Sequence, residues 1–258
     1  MIIAVTNQKG GVGKTTTVLN LGAAAALDQK RVCLIDLDPQ ANLTKTFIRP
    51  REGQPTVGEL LTQKLSLPEV LVTGNRDRLS LLPAGIDLSG LERSGTADPR
   101  LPYRLREALQ PFAQEFDLVL IDTPPTLGAL TVNAMTAATH LLIPIQSSYY
   151  CLHGTNDLLE TYRLVKAKLN PDLKLLGMLI TMYDPRTTLA KEVVEEIRSV
   201  YGGQVFTTMI KRSVKLEESP AAGESIFSYR PKSSAAEQYR AAYRELSKRQ
   251  AKEESARA

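Results

Sequence analysis

The chain has 258 residues, 43% of them hydrophobic and 23% charged, which suits an ordinary soluble globular protein of one large α/β domain or two small ones. No apolar run approaches the ~20 residues of a membrane span, and the opening MIIAVTNQKGG has neither the basic start nor the cleavage site of a signal peptide. The net charge of +4 is lodged in the C-terminal part: residues 1–150 balance 14 Lys and Arg with 14 Asp and Glu, while residues 151–258 carry 18 against 14. That asymmetry points to an anionic partner or, as blandly, to solvated surface lysines.

Short apolar runs recur along the chain. They are IIAVT (2–6), VCLIDL (32–37), LSLLP (79–83), DLVLID (117–122), LLIPI (141–145), LKLLGMLIT (173–181) and QVFTTMI (204–210). Amphipathic stretches separate most of them, among them TTTVLNLGAAAAL, YRLREALQPFA, LGALTVNAMTAAT, TNDLLETYRLVKAKL and TLAKEVVEEIRSVY. Continuous apolar strands alternating with helices predict a doubly wound α/β fold: one mostly parallel twisted sheet of seven to eight strands, covered by helices on both faces. Residues 44–78 and 84–100 are richer in Gly, Pro and charge and read as surface connections with short helices. The tail from Ser233 is helical in composition and expected to fray from about residue 250. No repeat or long linker divides the chain, so 1–258 reads as a single domain.

The stretch NQKGGVGKTT lies between the first strand and the first helix, the context a phosphate-binding loop requires. Glycines 10, 11 and 13 let successive backbone N–H groups turn toward one anion, and the helix N-terminus adds its dipole to the same spot. Gly10, Gly11, Val12, Gly13, Lys14, Thr15 and Thr16 form the candidate cradle. Lys14 reaches the β- and γ-phosphates, and the Thr15 hydroxyl is a candidate Mg²⁺ ligand. The loop departs from G-x-x-x-x-G-K-[ST]: position 8 is Gln, and a second lysine, Lys9, precedes the glycines. A dinucleotide fingerprint fails because position 16 is Thr rather than Gly.

Two acids complete the nucleotide chemistry. Asp122 ends the strand DLVLID, the place of a carboxylate that holds Mg²⁺ through water. Asp38 follows VCLIDL at the carboxyl end of its strand, where it could orient the attacking water, approach the metal, or simply cap the turn ahead of Pro39. Cys33 reads as a buried strand residue and Cys151 has no partner nearby, so a reduced, cytosolic protein is expected. His140 and His153 read as ordinary structural residues.

KGGVGKTT, IDLDPQAN and LVLIDTPP, in this order, resemble the ParA/Soj family of chromosome- and plasmid-partitioning ATPases, within the wider group whose phosphate loop carries the extra lysine. IPIQSSYYCLHG, LITMYDPRTTLAKEV and SVKLEESPAAGESI extend the similarity to about residue 245. The resemblance implies an ATPase using ATP and Mg²⁺, slow alone and stimulated by a ParB-like partner. It also implies a homodimer that closes on two ATP molecules, with Lys9 reaching the partner's phosphates, and a cytoplasmic, nucleoid-associated protein that binds non-specific double-stranded DNA. Arg186 and Lys215 match the family's DNA-contacting basic residues; Arg212, Arg230 and Lys232 are candidates on charge. Some positions depart from the pattern. Ser148 stands where the family has an acid, Ala41 where it has a glycine, and Lys211 and Ser213 replace the proline and asparagine of a segment near the base.

Rival readings come from other classes. A MinD-like membrane-associated ATPase would end in an amphipathic helix, but the tail offers only Tyr239, Tyr243 and Leu246, which read more simply as a face docked on the core. A ParA-like ATPase could also position a cargo other than DNA. An iron–sulfur reductase needs a cysteine after the Asp122 strand, and none is there. A metabolic ligase of the dethiobiotin synthetase kind would need a substrate motif that the chain does not display.

Overall fold

The computed structural model describes residues 1–73, 78–94, 98–148 and 151–255. Tyr149, Tyr150, the end of the tail at 256–258 and the side chains of Cys151 and His153 lie outside the described residues. The strands are β1 (Ile2–Val5), β2 (Val32–Asp36), β3 (Val72–Thr73), β4 (Leu79–Leu82), β5 (Leu118–Asp122), β6 (His140–Gln146), β7 (Lys174–Tyr183) and β8 (Val205–Lys211). They form one sheet in the order β3-β4-β2-β5-β1-β6-β7-β8, parallel throughout except for the edge strand β3.

All seven expected strands are present; β3, only two residues long, carries too little pattern to be read in advance. The first helices are α1 (Lys14–Leu27), α2 (Asn42–Phe47), α3 (Val57–Leu61), α4 (Leu67–Val70), α5 (Leu88–Ser94) and α6 (Arg104–Leu109). They are followed by α7 (Ala129–Ala137), α8 (Cys151–Lys168), α9 (Thr188–Tyr201), α10 (Val214–Ala221), α11 (Ile226–Tyr229) and α12 (Ser234–Ser255).

The strands are apolar on both sides because each side meets helices. One face packs α1, α2, α11 and α12 over Ile3, Val5, Leu34, Leu120 and Leu179. The other packs α3, α4 and α6 to α9 over Ala4, Ile35, Ile121, Ile143 and Ile180. The connections at 44–78 and 84–100 do contain short helices, but they are not merely surface. Val57, Leu61, Leu67, Val70 and Leu88 are buried in the second core, so the Gly- and Pro-rich composition there reflects frequent capping rather than exposure. Thr56 and Ser66 each cap a helix reciprocally with a glutamate three residues on.

The C-terminal helix, α12, is 22 residues long. It continues to Ser255, past residue 250 where fraying was expected. Tyr239, Tyr243 and Leu246 are buried on α1 and β8, as read from the sequence. Beyond them, Arg249 donates to the carbonyls of Leu176, Gly203 and Val205 and lies 4.3 Å from the Phe206 ring centre. Glu253 Oε2 accepts from Lys174 Nζ at 2.7 Å and sits 3.1 Å from His140 Nε2. These polar contacts hold the last turns where apolar residues run out. His140 thus has the structural role expected of it.

Candidate active site

The carboxyl ends of the parallel strands converge on one edge, and every predicted nucleotide residue lies there. After β1 the chain turns into the phosphate loop. Gly11 and Gly13 adopt positive φ of 72° and 87°, a conformation open to glycine at little cost. Buried Asn7 anchors the loop: its Nδ2 donates to the Pro144 carbonyl at 2.8 Å, and its Oδ1 accepts from Lys9 N at 2.9 Å. On the far side, Thr181 Oγ1 of β7 donates to the Val12 carbonyl at 2.8 Å. Gln8, the residue in place of the usual first glycine, donates to Asp157 of α8.

Lys14 starts α1 and is almost wholly buried, with Nζ donating to the Lys9 carbonyl at 3.3 Å. Burial lowers its pKa, opposed by the nearby charges of Asp122 and Asp38. A largely desolvated cation at the start of a helix is a strong electrostatic partner for a polyphosphate.

Asp122 closes the other side of the site. Its carboxylate is fully buried and neither oxygen accepts a hydrogen bond of good geometry. Burial and the charge of Asp36, its register partner on β2, push its pKa well up; the hydroxyl of Thr15 and the charge of Lys14 pull the other way more weakly. A buried, unpartnered carboxylate beside a threonine hydroxyl is the donor set a hydrated Mg²⁺ fits. Among the described residues there is no cluster of three or more His, Cys, Asp or Glu that could hold a metal ion.

Asp38 is buried and its Oδ1 accepts from Gln40 N at 2.9 Å, so the turn-capping role is real. The turn is held from beneath by Asp36, which sequence reading passed over. Asp36 accepts from Asp38 N at 3.1 Å, Thr44 N at 2.8 Å and Thr44 Oγ1 at 2.7 Å, and Thr44 Oγ1 accepts in turn from Ala84 N. Burial raises the Asp36 carboxyl to about 6 despite those donors. The signal in the sequence was the first acid of IDLD, whose strand-end position equals that of Asp122. Ala41, in place of the family glycine, sits at φ 54°, a left-handed position where a Cβ is strained.

Lys9 has a partner within its own chain. Its Nζ donates to Ser148 Oγ of the same chain at 3.0 Å, at the end of β6. The residue that departs from the family acid is therefore the one that holds the extra lysine.

The basic candidates lie on segments other than the phosphate loop. Arg186 follows β7, Arg212 follows β8 and bonds the Tyr183 carbonyl through its backbone N–H, and Lys215 lies in the first turn of α10. Arg230 stacks 4.8 Å from the Tyr229 ring centre, with Lys232 two residues on. Arg249 and Arg240, part of the same basic stretch, are spent internally on Phe206 and Phe227.

Comparison with known proteins bears on this geometry directly. Residues 1–175 match a family model described as an AAA domain. The chain is 44% identical to the chromosome partitioning protein ParA of Myxococcus xanthus, over 96% of this chain and 88% of that one. It is 43% identical to the sporulation initiation inhibitor protein Soj of Bacillus subtilis, over 92% and 94%.

The chain belongs to the ParA/Soj family of chromosome-partitioning ATPases.

The ParA/Soj fold is shared with solved structures. A Mycobacterium smegmatis protein named cobyrinic acid a,c-diamide synthase, with bound ADP and magnesium, superposes with a TM-score of 0.81 at 38% identity, covering 93% of this chain and 90% of that one. McdA of Cyanothece in complex with ATP gives 0.86 at 21% identity, covering 95% of each chain, a likeness of fold alone. No helix among the described residues is long and apolar enough to cross a membrane.

Proposed function

We propose that this ParA/Soj ATPase is a nucleotide-gated DNA clamp, in which Mg²⁺-ATP drives a sandwich dimer, the dimer binds DNA without sequence preference, and a ParB-like partner triggers hydrolysis. The observation that carries the reading is Lys9. It is a second cation beside a phosphate loop whose own lysine, Lys14, is already in place, and its Nζ donates to a neutral hydroxyl. A γ-phosphate in the opposing subunit offers Lys9 a charged acceptor, about twice as strong as a neutral one. The exchange of Ser148 for phosphate makes closure depend on ATP. Thr15 and Asp122 would hold Mg²⁺, which neutralises charge on the phosphates when bound. Asp38 orients the attacking water, and its turn is braced by Asp36 and Thr44. Arg186, Lys215, Arg212, Arg230 and Lys232 supply phosphate contacts with no base-reading element beside them, so binding is sequence-independent.

The test is light scattering with ATP and with ADP. The parent should dimerise with ATP only. Lys14→Ala should lose tight nucleotide binding, Lys9→Ala should keep binding but lose turnover and weaken the dimer, and Asp38→Ala should trap an ATP-bound dimer. An equally stable dimer with ADP refutes the gate. If each subunit neutralises about two phosphates, the log–log salt slope of dimer binding to DNA is roughly −3.6. The name of the solved relative supports a second reading, an ATP-dependent amide synthase. Turnover stimulated by cobyrinic acid and indifferent to DNA would favour it.

A further inference from the structure

The two basic residues that best match DNA-contacting positions are not free. Arg186 donates Nε to Asp184 Oδ1 at 2.9 Å and Nη2 to Oδ2 at 2.7 Å, and its backbone N–H also meets Oδ1 at 3.0 Å. The guanidinium fork is thus filled by two oxygens of one carboxylate, the same pair of donors it would offer to two oxygens of a phosphate. Lys215 Nζ donates to Glu218 Oε2 at 2.9 Å, and the Tyr229 hydroxyl donates to that oxygen at 2.9 Å. The other basic candidates crowd the same two acids. The charge of Arg212 reaches Asp184 and that of Arg230 reaches Glu218, so each of the two carboxylates is shared by two of the basic candidates. Glu217 is a second acid on α10, beside Glu218.

We infer that Asp184 and Glu218 are built-in competitors for nucleic-acid phosphate: they occupy the donors of Arg186 and Lys215 and hold down the DNA affinity of each subunit. The inference rests on the DNA-binding reading of this face and adds the acids that regulate it.

The physical consequence is a threshold. A phosphate must displace a carboxylate that is already in place, tethered by the chain and charged at any ordinary pH, since the Arg186 guanidinium holds the Asp184 carboxyl down to about 2. One subunit gains little by that exchange. Two subunits on one rigid face make the exchange twice for a single loss of translational freedom, so the competitors sharpen the difference between monomer and dimer. Arg186 is 86% exposed on its side chain, so the ion pair is in reach of DNA and is itself worth little, which keeps the exchange reversible.

The test uses the full-length protein with Mg²⁺-ATP and an unrelated duplex, titrated from about 50 to about 200 mM salt. Asp184→Asn keeps an acceptor for the backbone N–H of Arg186 but frees the guanidinium. Each exposed ion pair removed is worth about 1.4- to 5-fold, so with two per dimer the affinity should rise about 2- to 30-fold. The salt slope should steepen by up to about 1.8, one further phosphate per subunit. Glu218→Gln should act in the same direction, and ATP-dependent dimerisation should be unchanged in both. If both variants dimerise normally and bind DNA with the parent's affinity and slope, the inference is wrong. Arg186→Glu with Lys215→Glu separates the two levels. Loss of DNA binding there with unchanged Asp184→Asn sinks the competitor role alone, whereas unchanged DNA binding in the double variant sinks the DNA face and the inference with it.

Discussion

Asp122→Asn should make the nucleotide-free protein more stable while ending its ATP turnover. The carboxylate is fully buried at the end of β5, makes no hydrogen bond of good geometry, and has Asp36 as its neighbour across the β2–β5 register. Burial first, and Asp36 second, raise its pKa well above the ordinary 3.8. An acid with a raised folded pKa contributes its full stability below the unfolded value and loses it as pH rises toward the folded one. Each pH unit between 3.8 and the raised folded value costs about 1.36 kcal/mol, because folding must take up a proton that the unfolded chain has released. Asparagine keeps the shape and removes that loss. It leaves a buried amide short of partners, a cost of about 1–3 kcal/mol. The net expectation is a gain near pH 7.5 that shrinks as pH falls and vanishes or reverses at about pH 3 or below, where the parent's carboxyl is largely neutral in both states. Urea unfolding of both proteins at the two pH values, without nucleotide or divalent metal, measures it. A variant less stable than the parent at the higher pH, or a difference that does not change with pH, refutes the reasoning.

Ala41→Gly should relieve left-handed strain of about 1–2 kcal/mol against an unfolded-state cost of about 0.4–1 kcal/mol, a small gain visible as a raised unfolding midpoint. Gly177→Ala should do the reverse: at φ 148° its Cβ would stand 2.5 Å from the Gln204 carbonyl oxygen, so a loss of about 3 kcal/mol or more is expected in the same assay. Thr44→Val keeps the shape but orphans the Ala84 N–H and removes a donor from Asp36, so stability should fall by about 2–4 kcal/mol. ATP turnover should fall further than nucleotide binding in that variant, because the turn that carries Asp38 loses its brace; equal loss of both would place Thr44 outside the hydrolytic step.

Much of this protein was legible in one dimension. Seven strands announced themselves because a parallel sheet covered on both faces needs uninterrupted apolar runs, and the phosphate loop did so because its φ > 0 turns and its cation must be adjacent in the chain. The positions of Asp38 and Asp122 were readable because one follows and the other ends such a run, which puts both at the sheet edge where ligands bind. Tyr239, Tyr243 and Leu246 were readable as a docked face from their helical spacing. What the sequence could not decide was everything that depends on a partner far along the chain. The strand order sets Asp36 beside Asp122, the fold of the β2–α2 turn hands Asp36 to Thr44 and Ala84, and the end of β6 brings Ser148 to Lys9 across 139 residues. The contacts of the tail depend on distant partners in the same way. Its last turns look like a polar fray in the sequence, yet Arg249 and Glu253 find carbonyls and charges on β7, β8 and β6. Charge was the least legible feature. A count of lysines and arginines measures a field, but whether a cation is free for a ligand depends on which carboxylate lies within about 3 Å, and that is a property of the folded surface alone.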